Sequence, residues 1–318
     1  MFDQPHFRKS VLQTFGSRGQ EWLANLPALV TTCCQRWSIS LGQPFLLSYN
    51  FVAPGLRSDG TPVVLKTGVP NPELLSEMAA LRIYGGQGAA RLLEEDADLG
   101  AMLLEHILPG QMLSHLEDDA GATRIIASVM RRLWRPLSPE QASLFPDLTR
   151  WLRALFRLEL HSESRFSNPE SPSEGTFATR DGALFTSLLE QARVMATGLL
   201  SSQGEIVLLH GDLHHDNILS AGREPWLAVD PKGVAGEREF EVGPMMYNPW
   251  QRVLDDPDLK SVLSRRLDIL VEELGLDRQR LLAWSFVEAA LSMAWSLEDH
   301  DPYWDRLLPL AKALLELF

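Results

Sequence analysis

The side chains best suited to chemistry lie in residues 210–217, which read HGDLHHDN between two apolar runs. Asp212, Asn217 five residues later and Asp230 after the next apolar run supply an acid, an amide and a second acid. Such groups suit phosphoryl transfer, in which one carboxylate accepts a hydroxyl proton and other oxygens hold Mg²⁺ on a triphosphate. The spacing therefore predicts Asp212 as the proton acceptor and Asn217 and Asp230 as metal ligands.

Each of these three residues also has a simpler interpretation when it is considered alone. Asp212 and Asn217 are residue types that commonly satisfy backbone amides in turns, and Asp230 precedes a proline where an apolar strand would end. Chemistry is favoured because all three residues occur together, in this order and at this spacing.

Phosphoryl transfer also needs a cation on the phosphates, and Lys66 is the candidate. It shares a strand face with Val64 by the two-residue period, which points its ammonium inward, where an unpaired charge is costly. Glu77 borders the apolar stripe of the next predicted helix. We therefore expect Lys66 and Glu77 to form an ion pair; the alternative is a strand-end lysine and a solvated glutamate.

The histidines near Asp212 raise a different hypothesis. His210, His214 and His215, with Asp212 and Asp216, could belong to a two-metal phosphohydrolase. Such a site usually takes further ligands from distant segments, and His106, His115 and His161 are isolated in the sequence. A histidine at position 210 more often bonds the backbone and shapes the loop. The hydrolase is therefore the less favoured alternative.

The composition is that of a globular protein with an acidic second part. The chain has 318 residues, long enough for about two domains, and a formal net charge of −13, most of it beyond Glu105. A nucleic-acid-binding protein would more often be basic, so we expect no nucleic-acid partner. The negative charge either favours solubility or attracts a cationic small molecule.

The cysteines and the apolar segments predict a cytoplasmic protein without a membrane partner. Cys33 and Cys34 are adjacent and unsuited to an unstrained disulfide, as expected in a reducing compartment. The N-terminal residues have no apolar core after a basic start, so no signal peptide is predicted. The longest apolar stretch, residues 281–297, is short for a membrane span and carries Glu288, which favours a buried helix.

The first third of the sequence mixes strand and helix signals. The predicted elements are strands at residues 44–52, 63–66 and 101–107, a turn at residues 58–60, and a helix that starts at Asn71-Pro72 and ends at Gly85-Gly86. This third therefore predicts a small, β-rich lobe.

The remainder of the sequence is predicted to be mainly helical. Asp147 caps a helix with an apolar stripe, residues 162–176 form a surface loop, and the chain after Asp230 is helical to its end. The sequence thus predicts an α+β protein with a small β-rich N-lobe, residues 1–105, and a larger, mostly helical C-lobe, residues 106–318.

Two motifs resemble the aminoglycoside phosphotransferase family, which has a two-lobed protein-kinase-like fold. The pattern HGDxxxxN at residues 210–217 and the string VDPKG at residues 229–233 are similar to the family's catalytic and metal-binding segments. The longer string VDPKGVAGEREFEVGPMMYNP looks like the streptomycin 6-kinase and hydroxyurea-resistance kinase branch. DGTPVVLK and AMLLEHILPG are similar to the small lobe and hinge of that branch, so the resemblance covers roughly residues 44–300.

The resemblance implies a kinase that transfers the γ-phosphate of ATP, with Mg²⁺, to a hydroxyl of an aminoglycoside or a related sugar or cyclitol. Residues 1–105 would bind the nucleotide, and residues 106–318 would carry the catalytic loop and the acceptor site. Asp212 matches the catalytic aspartate. The other matched positions are the metal ligands Asn217 and Asp230, the phosphate lysine Lys66, its partner Glu77, and the hinge at Glu105, His106 and Ile107, where backbone groups would meet adenine.

One segment departs from the family pattern. The resemblance places residues 47–52 over the phosphates. This segment has no glycine, and the first one after it is Gly55, so bulky side chains restrict the approach of its backbone amides to phosphate. Ser48 and Asn50 are the candidates in this segment to contact phosphate. The departure motivates a second hypothesis, a non-catalytic kinase-like module that binds nucleotide.

Acidic residues of the C-lobe are the candidates to bind a cationic acceptor. A streptomycin-like aminoglycoside carries guanidinium groups, which carboxylates bind well. Each acidic residue could instead form a surface salt bridge, and a lysine near them could serve phosphate or simply pair with them. The candidate acceptor contacts are Asp212, Lys232, Glu237, Glu241 and Glu288.

Overall fold

The structure of the protein, a computed structural model, describes residues 4–158, 177–299, 301 and 303–318. The loop predicted at residues 162–176 lies outside these residues. The chain divides into two compact units, Met1–Gln111 with Leu219–Gly233, and Met112–Ile218 with Val234–Phe318. Most strands belong to the first unit and most helices to the second, as expected for an α+β protein.

Eleven strands and twelve α-helices occur in the described residues. The strands are β1 (Ile39–Leu41), β2 (Phe51–Arg57), β3 (Pro62–Thr67), β4 (Leu92–Asp96), β5 (Ala101–Glu105), β6 (Pro109–Met112), β7 (Arg135–Pro136), β8 (Val207–Leu209), β9 (Ile218–Ala221), β10 (Trp226–Ala228) and β11 (Val234–Gly236). The helices are α1 (Pro5–Arg36), α2 (Pro72–Tyr84), α3 (Asp119–Leu133), α4 (Pro139–Ala142), α5 (Leu148–Trp151), α6 (Arg153–Arg157), α7 (Phe177–Ser201), α8 (Gly243–Met246), α9 (Trp250–Leu254), α10 (Leu259–Leu274), α11 (Arg278–Glu298) and α12 (Leu308–Leu315).

The first unit is built on a five-stranded antiparallel sheet of order β1-β2-β3-β5-β4. The predicted turn joins β2 to β3, and its Gly60 has φ +86°, a conformation that glycine adopts without strain. In β3, at the centre of the sheet, Lys66 is opposite Val52 of β2 and Met102 of β5. Pairing on both sides gives the backbone of Lys66 a fixed position.

The strand predicted at residues 44–52 is wrong for most of its length. β2 begins at Phe51 and runs to Arg57, whereas residues 42–50 form a loop, named here the 42–50 loop. Its apolar residues do not all face a core: Leu47 is 2% exposed and Leu46 is 95% exposed. Apolar composition suggested a strand here, although these residues pair too little with a neighbour to form one. The strand predicted at residues 101–107 is present as β5 and ends two residues earlier.

The sequence prediction missed the long helix α1. It has 32 residues and is interrupted at Gly16, which has the non-helical angles φ +55° and ψ −130°. Phe7, Val11 and Leu26 of α1 form one core cluster with residues of the sheet such as Phe51 and Leu65. Polar residues and this interruption obscure the helical period of α1, so that only its packing on the sheet identifies it.

The second unit is organised around α11, the buried helix predicted at residues 281–297. It packs against α6, α7, α8 and α12. The predicted cap is confirmed, since Asp147 Oδ1 accepts a hydrogen bond of 2.7 Å from the Arg150 N–H. The helix that follows is divided into α5 and α6, and Phe156, which was predicted on its apolar stripe, is 42% exposed. No helix in the described ranges is long and apolar enough to span a membrane.

One strand lies in a region predicted to be wholly helical. β11 pairs antiparallel with β8, directly before the segment that carries Glu237 and Glu241. Three residues are too few to show a two-residue period, so that the pairing partner rather than the local sequence determines this strand. Both cysteines are free thiols, as the sequence predicted.

The cap of α2 yields a stability prediction. Asn71 Oδ1 accepts hydrogen bonds from the N–H groups of Glu73 (2.8 Å) and Leu74 (3.1 Å). Asn71→Ala should lower the free energy of unfolding by about 1 kcal/mol, measured by urea denaturation, because these donors lose their acceptor. Asn71→Asp keeps an acceptor oxygen and should retain most of the stability. Equal losses in the two variants would contradict the capping role.

Candidate active site

Lys66 is the buried cation of the first unit. Its side chain is 7% exposed, and its Nζ lies 2.6 Å from Glu77 Oε1 and forms a second ion pair with Asp230 Oδ1. The Lys66–Glu77 pair predicted from the sequence is therefore confirmed. A buried ammonium is stable only when partners replace its lost hydration, and here two carboxylates do so.

These charges alter the pKa values within the cluster. Burial alone would lower the pKa of Lys66, but the attraction of Asp230 and Glu77 outweighs burial and raises this pKa above its ordinary value. Burial raises the pKa of Glu77 more than the attraction of Lys66 lowers it, and the negative charge of Asp230 raises it further. Lys66 is thus kept charged, which is the form that binds phosphate.

One face of α2 connects this cluster to the segment that follows β10. Besides Glu77, it carries Ser76, whose Oγ donates to the main-chain oxygens of Lys232 (2.7 Å) and Gly233 (2.9 Å), and Glu73, whose Oε1 lies 3.1 Å from Lys232 Nζ. Residues spaced three and four apart are neighbours on a helix surface. Sequence reasoning missed Glu73 and Ser76, and this spacing relative to Glu77 is the signal that could have found Glu73.

Asp230 has a rare backbone conformation, with φ +60°. Few residues other than glycine adopt the left-handed region, although aspartate and asparagine do so more readily than most. Lys66 contacts one carboxylate oxygen of Asp230, and Lys232 Nζ lies 3.4 Å from the other. The conformation therefore directs this carboxylate toward two cations within the first unit.

In the second unit, a buried carboxylate supports the loop that carries Asp212. Glu241 is fully buried and accepts hydrogen bonds from the N–H groups of His210 (2.7 Å) and Gly211 (3.0 Å). The Nδ1 of His210, also fully buried, accepts a bond of 3.3 Å from the Asp212 N–H. His210 therefore shapes the loop, as the sequence favoured.

Asn217 presents an oxygen suited to a metal ion. Its Nδ2 donates to the main-chain oxygen of Asp212 at 2.9 Å and lies 3.2 Å from His214 Nε2. These contacts direct the amide nitrogen toward the loop and leave Oδ1 without a donor among the described residues. Mg²⁺ prefers oxygen ligands and commonly takes only one or two from the protein, together with phosphate oxygens and water. Asn217 and Asp230 are therefore of the right chemical type to bind Mg²⁺.

The two-metal hydrolase finds no support in the described part of the chain. No group of three or more His, Cys, Asp or Glu side chains is arranged there to hold a metal ion. His215, one of the histidines considered for this role, is buried, and burial lowers its pKa to about 3. Both metals of such a site would need several of these ligands close together.

Two of the acidic candidates for acceptor binding have their oxygens occupied by the protein itself. Glu237 Oε1 accepts hydrogen bonds from Arg280 Nε (2.8 Å) and Trp284 Nε1, and its Oε2 accepts one from the Gly204 N–H (2.8 Å). Glu241 accepts hydrogen bonds from the loop that carries Asp212, and burial raises its pKa to about 7 although its backbone donors act in the opposite direction. Both carboxylates therefore serve contacts within the protein, which makes them poorly suited to bind an acceptor.

Glu288 on α11 differs from these two residues. It is 2% exposed, and its Oε2 has no hydrogen-bond partner among the described residues. Its Cγ lies so close to Gly243 that a Cβ added there would be 2.3 Å away. Burial raises its pKa well above the ordinary value, and the charges of Asp212 and Glu241 raise it further. A buried carboxylate without a partner is costly, and a cationic ligand group would supply one.

Tyr247 belongs to the same part of the second unit and was missed by sequence reasoning. Burial raises its pKa well above the ordinary value, and Glu288 and Asp212 act in the same direction. Its side chain hydrogen-bonds with Ser292 of α11. The conformation of the α8–α9 segment is not visible in a local residue pattern, so the sequence offers no clear signal for this residue.

The predicted hinge follows the end of β5. The carboxylate of Glu105 binds Arg223 Nε at 3.1 Å, and the His106 N–H donates to Pro62 O at 3.3 Å. The N–H of Ile107 finds no acceptor among the described residues. In the 42–50 loop, Ser48 is exposed and Asn50 is half-buried.

The comparisons with known proteins identify the family of the chain. Residues 37–300 match the family described as aminoglycoside/hydroxyurea antibiotic resistance kinase. The chain is 34% identical to streptomycin 6-kinase of Streptomyces glaucescens, over 96% of this chain and 94% of that protein. It is 31% identical to hydroxyurea phosphotransferase of Kitasatospora aureofaciens, over 90% and 77%.

A solved structure shows the same fold at low sequence identity. It is a thermostable mutant of aminoglycoside phosphotransferase APH(4)-Ia in a ternary complex with ADP and hygromycin B, 14% identical, with a TM-score of 0.60 and coverage of 90% of this chain and 97% of that one. The fold is thus protein-kinase-like, as the sequence predicted. The chain belongs to the family of aminoglycoside/hydroxyurea antibiotic resistance kinases. This membership confirms the prediction of an ATP-dependent phosphotransferase with an alcohol group as acceptor.

Glu288 gives a prediction about stability and pH. A glutamate in the unfolded chain has a pKa near 4.5, whereas Glu288 in the folded protein keeps its proton to a higher pH. The free energy of unfolding therefore falls as the pH rises above 4.5. Glu288→Gln carries no such charge. Urea denaturation should therefore show the variant gaining stability relative to the unmodified protein between about pH 5 and about pH 8. A stability difference that is the same at both pH values would contradict this account.

Proposed function

We propose that this protein transfers the γ-phosphate of ATP to a hydroxyl group of a streptomycin-like aminoglycoside. The observation that carries the proposal is the buried Lys66–Glu77–Asp230 cluster, which keeps a phosphate-binding lysine charged in a member of a kinase family. A cytoplasmic location, and the division into a nucleotide-binding lobe at residues 1–105 and an acceptor-binding lobe at residues 106–318, stay predictions.

We assign the nucleotide to residues of the first unit. Lys66 would bind phosphate oxygens, and Lys232, which lies beside Asp230, would add a second positive charge near them. The N–H of Ile107, without an acceptor in the described chain, suits an acceptor nitrogen of adenine. Ser48 and Asn50 would contribute contacts from the 42–50 loop. Together these assignments give the base and the triphosphate separate binding groups.

Asn217 and Asp230 would hold Mg²⁺, with their oxygens as protein ligands. Bound there, Mg²⁺ would neutralise the negative charge that develops on the phosphates. The support is chemical: the amide nitrogen of Asn217 is committed to the loop, which leaves its oxygen for a cation. For Asp230, the left-handed backbone and the neighbouring lysines fix the carboxylate before any ion binds.

Asp212 would orient the acceptor hydroxyl and accept its proton as the phosphoryl group is transferred. Its main chain is fixed at the N–H by His210 and at the carbonyl by Asn217. Its side chain is 35% exposed, which makes it accessible to a ligand. A fixed and accessible carboxylate can act on a hydroxyl without first reorganising, which is what general-base catalysis needs.

The acceptor would be recognised through Glu288. Its unpartnered Oε2 and the neighbouring negative charge of Asp212 favour a ligand with an ammonium or guanidinium group. Such a cation favours the charged form of Glu288, so that binding of the acceptor would release a proton. A neutral sugar or cyclitol, the other acceptor class considered, would leave this buried carboxylate without a charge partner.

Asp212 is tested by substitution within the catalytic loop. Asp212→Ala should lower kcat by about 10²- to 10⁴-fold because the acceptor proton loses its base, while the Kd for Mg·ATP changes little. ADP release and calorimetry measure the two quantities. Asp216→Asn, on the same loop, is the matched control and should keep near-normal kcat. An Asp212→Ala enzyme with full activity would remove this mechanism.

The acceptor is tested with labelled ATP and a panel of streptomycin, a second aminoglycoside, hydroxyurea and neutral sugars and cyclitols. We expect phosphorylation of streptomycin, and Glu288→Gln should raise the KM for streptomycin by about tenfold or more, since a hydrogen bond to a charged group is lost. Turnover of a neutral sugar with streptomycin untouched would refute the acceptor assignment. Mg·ATP binding without turnover of any acceptor would favour the non-catalytic module instead.

A further inference from the structure

A side chain at the start of α1 binds the 42–50 loop. Gln4 Nε2 donates a hydrogen bond to the Phe45 carbonyl, and Gln4 Oε1 accepts one from the Leu47 N–H, each at 3.0 Å. A single carboxamide thus satisfies one acceptor and one donor of the loop main chain, as the peptide group of a neighbouring strand would do.

Further contacts fix the same two residues, Phe45 and Leu47. The Phe45 N–H donates to Val52 O at 3.0 Å, and the ring of Phe45 lies edge-on to His106 with centroids 6.3 Å apart. The side chain of Leu47 is buried in the core of the sheet unit. Residues 45–47 are therefore held by Gln4, by β2 and by the core, directly before the residues assigned to the phosphates.

We propose that Gln4 is a positioning residue for nucleotide binding. It holds the 42–50 loop in one conformation, so that the backbone N–H groups of Ser48, Tyr49 and Asn50 meet the phosphates without first being ordered. This inference rests on the proposed nucleotide role of the loop. Residues 47–50, the part of the loop assigned to the phosphates, contain no glycine and have less conformational freedom to fit themselves to a ligand, so affinity depends on their being ordered beforehand.

The family match does not account for this residue. It begins at residue 37, whereas Gln4 lies 33 positions earlier and is brought to the loop by the packing of α1 on the sheet. A segment outside the matched region therefore supplies a contact to the candidate nucleotide site.

The test compares Gln4→Met, which has similar length but neither donor nor acceptor, with the unmodified protein. Calorimetry measures the Kd for a non-hydrolysable Mg·ATP analogue, kinetics give kcat and the acceptor KM, and hydrogen exchange reports on the peptide that spans residues 42–50. We expect faster exchange and a Kd raised by about tenfold, with kcat and the acceptor KM within about twofold of normal. Gln4→Glu keeps the acceptor for Leu47 alone and should be intermediate.

Arg18→Ala is the matched control, because Arg18 Nη2 also connects α1 to another segment of the first unit, through the Pro70 carbonyl and not through residues 42–50. Its nucleotide Kd should be unchanged. The proposal is overturned if Gln4→Met binds nucleotide normally, or if Arg18→Ala weakens binding as much, which would show a general effect of α1 docking. Failure of the unmodified protein to bind Mg·ATP would instead refute the proposed function, which separates the two claims.

Discussion

The buried ammonium of Lys66 determines how the first unit is assembled around its chemistry. A charge removed from water in this way would cost several kcal/mol without partners, so β3 can place it there only if carboxylates are brought to it. Glu77 comes from α2 and Asp230 from the segment after β10. The position of the candidate metal ligand and the charge of the candidate phosphate lysine therefore depend on the same ion pairs.

In the second unit, three buried glutamates differ in function because they differ in their hydrogen-bond partners. Arg280 and Trp284 bind Oε1 of Glu237, and the Gly204 N–H binds its Oε2. The oxygens of Glu241 are bound by the main chain of the loop that carries Asp212. These residues support the structure. Glu288 is equally buried but has an oxygen without a partner in the described chain, which is why it is the acidic residue that suits a cationic ligand.

Local sequence patterns predicted an element correctly where interactions between residues close in sequence define that element. The cap at Asn71 and the end of α2 at Gly85 were predicted correctly, since capping chemistry is local. The 42–50 loop was predicted as a strand because apolar residues in it resemble a strand pattern, whereas Leu46 is exposed and the loop is fixed partly by Gln4. α1 was missed because its packing, more than its period, makes it recognisable.

The sequence by itself identified the candidate residues for the chemistry. Lys66 and Glu77 could be paired in advance because strand and helix periods restrict where an inward-pointing charge can lie, and Asp212 was recognised by its motif. Only the tertiary structure decided which carboxylates are occupied and what fixes the glycine-poor loop. The physical reason is that Arg280 and Gln4 are remote in sequence from the groups they bind. Hydrogen bonds between residues remote in sequence produce no periodic pattern from which they could be predicted.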